Sequence, residues 1–190
     1  MLRLFSCSIV FAIALISVCN GQEETAPEVP GIAAMEDVAE LEVIRDSIGV
    51  WDAVIKVWPM GPDGQEFEFE GVETNRPYGE HWMASDFDSV FQGQRTSVHS
   101  IVGYDLNKKQ LFGFVVDAGP YAATMTGEYD ADTKTVQWTT NAQQIDGSPM
   151  VQHTTLTKIS DTERKLVLAM PAEEGGEAVT VMEIMYTKRE

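Results

Sequence analysis

The chain has 190 residues, 13 Lys+Arg against 30 Asp+Glu, and a formal net charge of −17 at pH 7. That length suits one domain with a single hydrophobic core. The acid excess argues against a nucleic-acid partner, which needs Lys and Arg to neutralise phosphates, and against the surface of an anionic membrane.

Residues 1–21 read as a secretory signal peptide. Arg3 supplies the positive start, and an apolar stretch runs from Ile9 to Val18. A spanning helix needs about 20 apolar residues, so this stretch is too short to cross a bilayer. Cleavage after Gly21 predicts an exported, periplasmic or extracellular protein that begins at Gln22. A rival route is lipidation: Ile16-Ser17-Val18-Cys19 is a degraded lipobox that would anchor the chain at Cys19. Val18 is large where that signal wants a small residue, so the reading favours soluble export. Cys7 and Cys19 then leave with the signal. A mature chain without cysteine excludes a disulfide scaffold, a Cys-based zinc site and a thiol nucleophile.

Residues 22–31, QEETAPEVPG, have the Glu and Pro content of a disordered linker. Residues 32–190 read as one domain. Met35, Val38, Leu41, Ile44 and Ile48 recur at steps of three or four, which predicts one helix over AAMEDVAELEVIRDSI, residues 33–48. Gly49 ends it. Beyond Gly49 the period becomes two. Trp51, Ala53, Ile55 and Val57 alternate with Asp52 and Lys56, and Phe67 and Phe69 alternate with Glu66, Glu68 and Glu70. Eight further segments follow, from HWMASDF to AVTVMEIMYTKR. Turn-rich breaks such as Asp88-Ser89, Asp130-Ala131-Asp132 and Asp146-Gly147-Ser148-Pro149 separate them. Gly71, Gly103, Gly113 and Gly127 lie inside strands, where they permit the sharp coiling that barrel closure requires. The predicted fold is all-β: an antiparallel up-and-down barrel of about ten strands with one N-terminal helix.

A helix followed by Gly49-Val50-Trp51 resembles the G-x-W signature of lipocalins, and Arg189 stands where those families place a basic residue over the tryptophan. The chain is more closely similar to an uncharacterised bacterial calycin-like family, domain of unknown function 1579. The matching pieces are Ile48-Gly49-Val50-Trp51, Glu73-Thr74-Asn75-Arg76, Gly103-Tyr104-Asp105 with Lys108-Lys109, Gly127-Glu128-Tyr129-Asp130 and Met182-Glu183-Ile184-Met185-Tyr186-Thr187. They span about residues 35–189. The aromatic and acidic stretch 79–93 and Pro120 depart from the family pattern, both at loops or strand ends. The resemblance implies a lipocalin-like or fatty-acid-binding-protein-like barrel, and no activity.

Candidate sites follow from that fold. Gly49, Trp51 and Arg189 are read as structural, closing one barrel end beneath the helix. Phe67, Phe69, Phe112, Phe114 and Trp138, with Met83, Met125 and Met150, are candidate interior groups, whether as ligand wall or as ordinary core. Leu111, Gly113 and Val115 make the other face of the Phe112–Phe114 strand apolar too, so which face points in stays open. Arg76 and Arg95 are candidates to anchor a carboxylate or phosphate, against the bland alternative of surface ion pairs. The only histidines are His81, His99 and His153. His81 and His99 would lie nearly opposite if their strands form a hairpin, but the reading assigns neither a metal nor a haem. The acidic loops at Asp130 and Asp161 lack a calcium-loop pattern, and local turn chemistry explains them. None of the common hydrolase, zinc-protease, P-loop or dinucleotide motifs is present.

The expected function is therefore non-enzymatic, with no cofactor: an exported barrel that binds a small hydrophobic or amphipathic molecule. A cavity-less structural or interaction module of the cell envelope is the alternative, and an uncharacterised enzyme the third. A hollow interior would separate the first two.

Overall fold

The structure, a computed structural model, describes residues 38–144, 146–170 and 178–190. The expected signal peptide, the linker and the first residues of the expected helix lie outside the described residues.

Helix α1 spans Ala39–Ser47 and buries Leu41, Ile44 and Ser47. Glu40 and Glu42 occupy its first turn and Arg45 its last, the arrangement that the helix dipole favours. The helix stops one residue before the expected boundary. Gly49 already belongs to the first strand and takes φ 130°, where a side chain is strained. A Cβ there would also lie 2.9 Å from Lys188 Cε.

Ten strands follow: β1 Gly49–Val57, β2 Phe67–Tyr78, β3 Trp82–Phe91, β4 Gln94–Asp105, β5 Gln110–Asp117, β6 Ala122–Asp130, β7 Thr135–Gln143, β8 Pro149–Lys158, β9 Glu163–Met170 and β10 Val179–Lys188. Each pairs antiparallel with its successor, and β1 pairs with β10, from Trp51 opposite Lys188 to Val57 opposite Met182. The sheet is thus a closed up-and-down barrel, as its alternation predicts.

One expected break is displaced. Asp88 and Ser89 lie inside β3, and the turn comes later, at Gln92-Gly93, with φ 49° and 78°. Two positive φ values in a two-residue loop are the hairpin geometry that matches strand twist. Asp88 remains in the strand because it points outward, where it accepts from the Ser97 hydroxyl and from Arg95.

Alternation sorts the residues of each strand between core and solvent. On β1, Trp51, Ala53 and Ile55 are buried while Asp52 and Val54 are exposed. The missing side chain of Gly127 has a packing reason: its register partner Trp138 lays its ring over the glycine, and a Cβ would sit 2.7 Å from that ring. α1 is tied to one barrel end. Trp51 Nε1 and Asn75 Nδ2 each donate to the Ser47 carbonyl at 2.9 Å, and Lys158 Nζ donates to Asp46 Oδ2 at 2.6 Å. No helix among the described residues is long and apolar enough to cross a membrane.

Candidate functional site

The barrel interior is not filled. A space of about 470 Å3 lies toward the strand ends away from α1. Its walls are apolar: Ile55 and Val57 from β1, Phe69 from β2, Phe87 and Phe91 from β3, and Met182 and Ile184 from β10. Phe67 and Phe69 meet Phe91 at ring-centre distances of 5.7 and 4.8 Å, forming an aromatic rim. Toward the helix the lining turns polar, with Glu73, Ser85, Ser100 and Tyr186. The same four residues also line a smaller space of about 110 Å3 under α1, together with Trp138, Met125 and Arg164.

Strand geometry explains this floor. Position 73 shares its parity with Phe67 and Phe69, so Glu73 points inward, as does Asn75 beyond it. Arg164 shares the inward parity of Leu166, its neighbour on β9. Arg164 donates to Glu73 Oε1 at 2.5 Å, and the two side chains are 6% and 13% exposed. The guanidinium lies 4.2 Å from the Trp51 ring and 4.6 Å from the Tyr186 ring, so both aromatics carry it by cation–π attraction. Asn75 Nδ2 adds a second donor to Glu73 Oε1 at 2.5 Å. Among the described residues, Arg164 Nε and Asn75 Oδ1 have no hydrogen-bond partner. Burial, and then the charge of Glu73, pushes the Tyr186 phenol well above its ordinary range.

The expected site residues divide between inside and outside. Phe67 and Phe69 stand at the rim. Trp138 is buried and lines the smaller space, as does Met125. Met83 is buried beside them and Met150 is half-buried on β8. Arg76 and Arg95 point out, Arg76 to Asp86 and Arg95 to Asp88 at 2.9 Å. Phe112 and Phe114 also lie on the outer face: their rings meet edge to face at 5.0 Å, Phe114 is 52% exposed, and Lys108 sits over Phe112. Their strand turns Leu111 and Gly113 inward instead.

Arg189 does not lie over Trp51. It pairs with Asp52 on the outside, at 2.5 Å. Ile184 and Tyr186 are the inward residues of β10, so position 189 falls on the opposite parity. Arg164 covers Trp51 instead, with Lys188 Nζ 5.2 Å from the ring. His81 is not opposite His99 either. Its carbonyl accepts from Tyr104 N, while His99 is the register partner of Asp86 and contacts it at 2.5 Å on the outer face. His153 is exposed. No group of three or more His, Cys, Asp or Glu among the described residues is arranged to hold a metal ion. Asp130 accepts from the backbone N–H groups of Asp132 and Thr133, which is turn chemistry.

Residues 37–188 match the model of a family described as protein of unknown function (DUF1579). The chain belongs to that family. No curated protein matches it. Among solved structures, this DUF1579 barrel is similar to Rv2717c from M. tuberculosis, with a TM-score of 0.59 and 12% identity over 80% of this chain and 99% of that one. It is also similar to the S-type phycobiliprotein lyase CPES from Guillardia theta, with a TM-score of 0.55 and 8% identity over 78% of this chain and 92% of that one. At such identities the likeness is one of fold, the calycin-like ten-strand barrel.

Proposed function

We propose that this DUF1579 protein is a non-enzymatic carrier or receptor that holds a small hydrophobic or amphipathic molecule inside its barrel, outside the cytoplasm. The observation that carries the reading is the space of about 470 Å3, mostly apolar at its walls, with its polar groups concentrated toward one end. Small-molecule sites are commonly of about 300–1,000 Å3, mostly apolar with a few fixed polar groups. A cavity-less module would have packed this volume with side chains. One fold neighbour is named a lyase, so the neighbours do not argue for or against catalysis. What supports a binding role is the floor, where Arg164 and Glu73 pair with each other and the guanidinium lies over two aromatic rings, an arrangement suited to fixing shape. Export rests on the reading of residues 1–21.

Native mass spectrometry of the purified protein, paired with titration of the uncharged apolar dye N-phenylnaphthylamine, tests this. A retained small molecule, or saturable dye binding with enhanced fluorescence, is expected. A folded protein that carries nothing and binds no dye overturns the reading.

A further inference from the structure

Resting on that reading, we propose that the cavity selects an uncharged head group that hydrogen-bonds, such as a hydroxyl or ester on an apolar tail, and rejects a carboxylate. The placement of charge carries this. Of the buried ion pair, Glu73 alone lines the upper space, and among the described residues it is the only charged one there. Arg164 lines the smaller space under the helix. Its guanidinium lies over the Trp51 and Tyr186 rings, and its Nη2 donates to Glu73.

A carboxylate entering the upper space therefore meets Glu73 before it meets any guanidinium. Glu73 is already paired, so the newcomer gives up its hydration and gains no opposite charge in return. An ammonium fares little better. It gives up its hydration to reach a carboxylate that Arg164 already neutralises. An uncharged head loses far less on leaving water and needs only donors and acceptors. The wall offers these. Ser85 and Ser100 are register partners on β3 and β4 and place two hydroxyls on the lining, with the Tyr186 phenol beside Glu73 on the same floor. Ser89 and Thr96, two inward rungs further toward the rim and beyond Phe87 and Val98, hydrogen-bond each other at 2.5 Å.

Displacement of bound N-phenylnaphthylamine at neutral pH by decanol, methyl decanoate, decanoate and decylamine tests the selection. Decanol and methyl decanoate are expected to displace the dye at concentrations at least about tenfold below those of decanoate or decylamine. Because decanoate also prefers water, two variants isolate the cavity's own contribution. Glu73→Gln, which frees Arg164 from its counter-ion, is expected to improve decanoate about tenfold and to leave decanol within about twofold. The double variant Ser85→Ala/Ser100→Ala, a small change that does not depend on the ion pair, is expected to weaken decanol several-fold and to leave decanoate unchanged. Decanoate or decylamine equalling decanol in the unaltered protein overturns the selection, as does a folded Glu73→Gln protein with no gain for decanoate, or decanol unaffected by loss of both hydroxyls. Failure of the dye itself to bind overturns the underlying reading instead.

Discussion

Arg164 on β9 reaches Glu73 on β2 across the inside of the barrel, bridging residues 91 apart in sequence. Between those strands lie β10 and β1, and the guanidinium passes over one aromatic from each, Tyr186 and Trp51. Four consecutive staves are thus held by one side chain, at the place where the first strand closes on the last.

Removing that side chain is expected to be costly. Arg164→Met leaves Glu73 buried without its counter-ion, which should lower stability by about 3–5 kcal/mol in urea unfolding. Adding Glu73→Gln to Arg164→Met is expected to recover much of the loss, because the uncompensated charge disappears with it. Equal stability of the single and double variants would show that the pairing matters less than the packing of the guanidinium.

High pH is expected to unfold the protein through its phenols. Burial pushes Tyr104, Tyr121, Tyr129 and Tyr186 above the ordinary value of 10.0. A raised folded pKa means that the folded state holds the proton more tightly. The stability it contributes is complete below pH 10.0 and is lost as the pH climbs through the folded values. Tyrosinate absorbance should therefore appear together with loss of structure. Tyr186→Phe should make the decline with pH shallower.

Inside and outside positions should separate cleanly in ligand binding. Val98 on β4 also lines the upper space, so Val98→Trp drives an indole into it and should abolish dye binding while the barrel stays folded. Arg95→Gln and Phe114→Ser change groups on the outer face, so dye affinity should stay within about twofold. Stability after Arg95→Gln should move by less than about 1 kcal/mol, as for other exposed ion pairs. Dye titration and urea unfolding of the three proteins check this.

The contact between Gly127 and Trp138 predicts a sharp local effect. Gly127→Ala forces the indole away from a Cβ that would stand 2.7 Å from it. Overpacking of this kind costs about 1–3 kcal/mol. The shift should register in tryptophan fluorescence, and it should vanish in the Gly127→Ala/Trp138→Leu double variant.

Much of this architecture is written in the period-two alternation. Ten alternating segments and one helical stripe suffice for a closed antiparallel barrel. The interior is harder to read. Where one face is wet, as in Glu66 to Glu70, parity alone extends inward to Glu73 and Asn75 and outward to Arg76; that signal was present along β2. On β10 the same counting from Ile184 and Tyr186 places Arg189 outside. On β5 it is silent, because Leu111, Val115, Phe112 and Phe114 make both faces apolar. There the barrel decides, by turning the small Gly113 inward against Val102 and Met125 and leaving the phenylalanines in the open. The partnership of Glu73 with Arg164 has no local signature, since two intervening strands must assemble before the groups meet.

The hydrogen-bonded seam between β1 and β10 also sets a timetable. Nine of the ten strands find a partner in the stretch just before them, so they can zip up as the chain lengthens. The first strand cannot complete its second ladder until residue 188 has been made. Through that interval two unpaired edges stay open to other chains, and final closure carries the slow kinetics of contacts far apart in sequence. A chain cut short before Val179 would keep the exposed edges permanently, so aggregation rather than partial function is the fate of a truncated product.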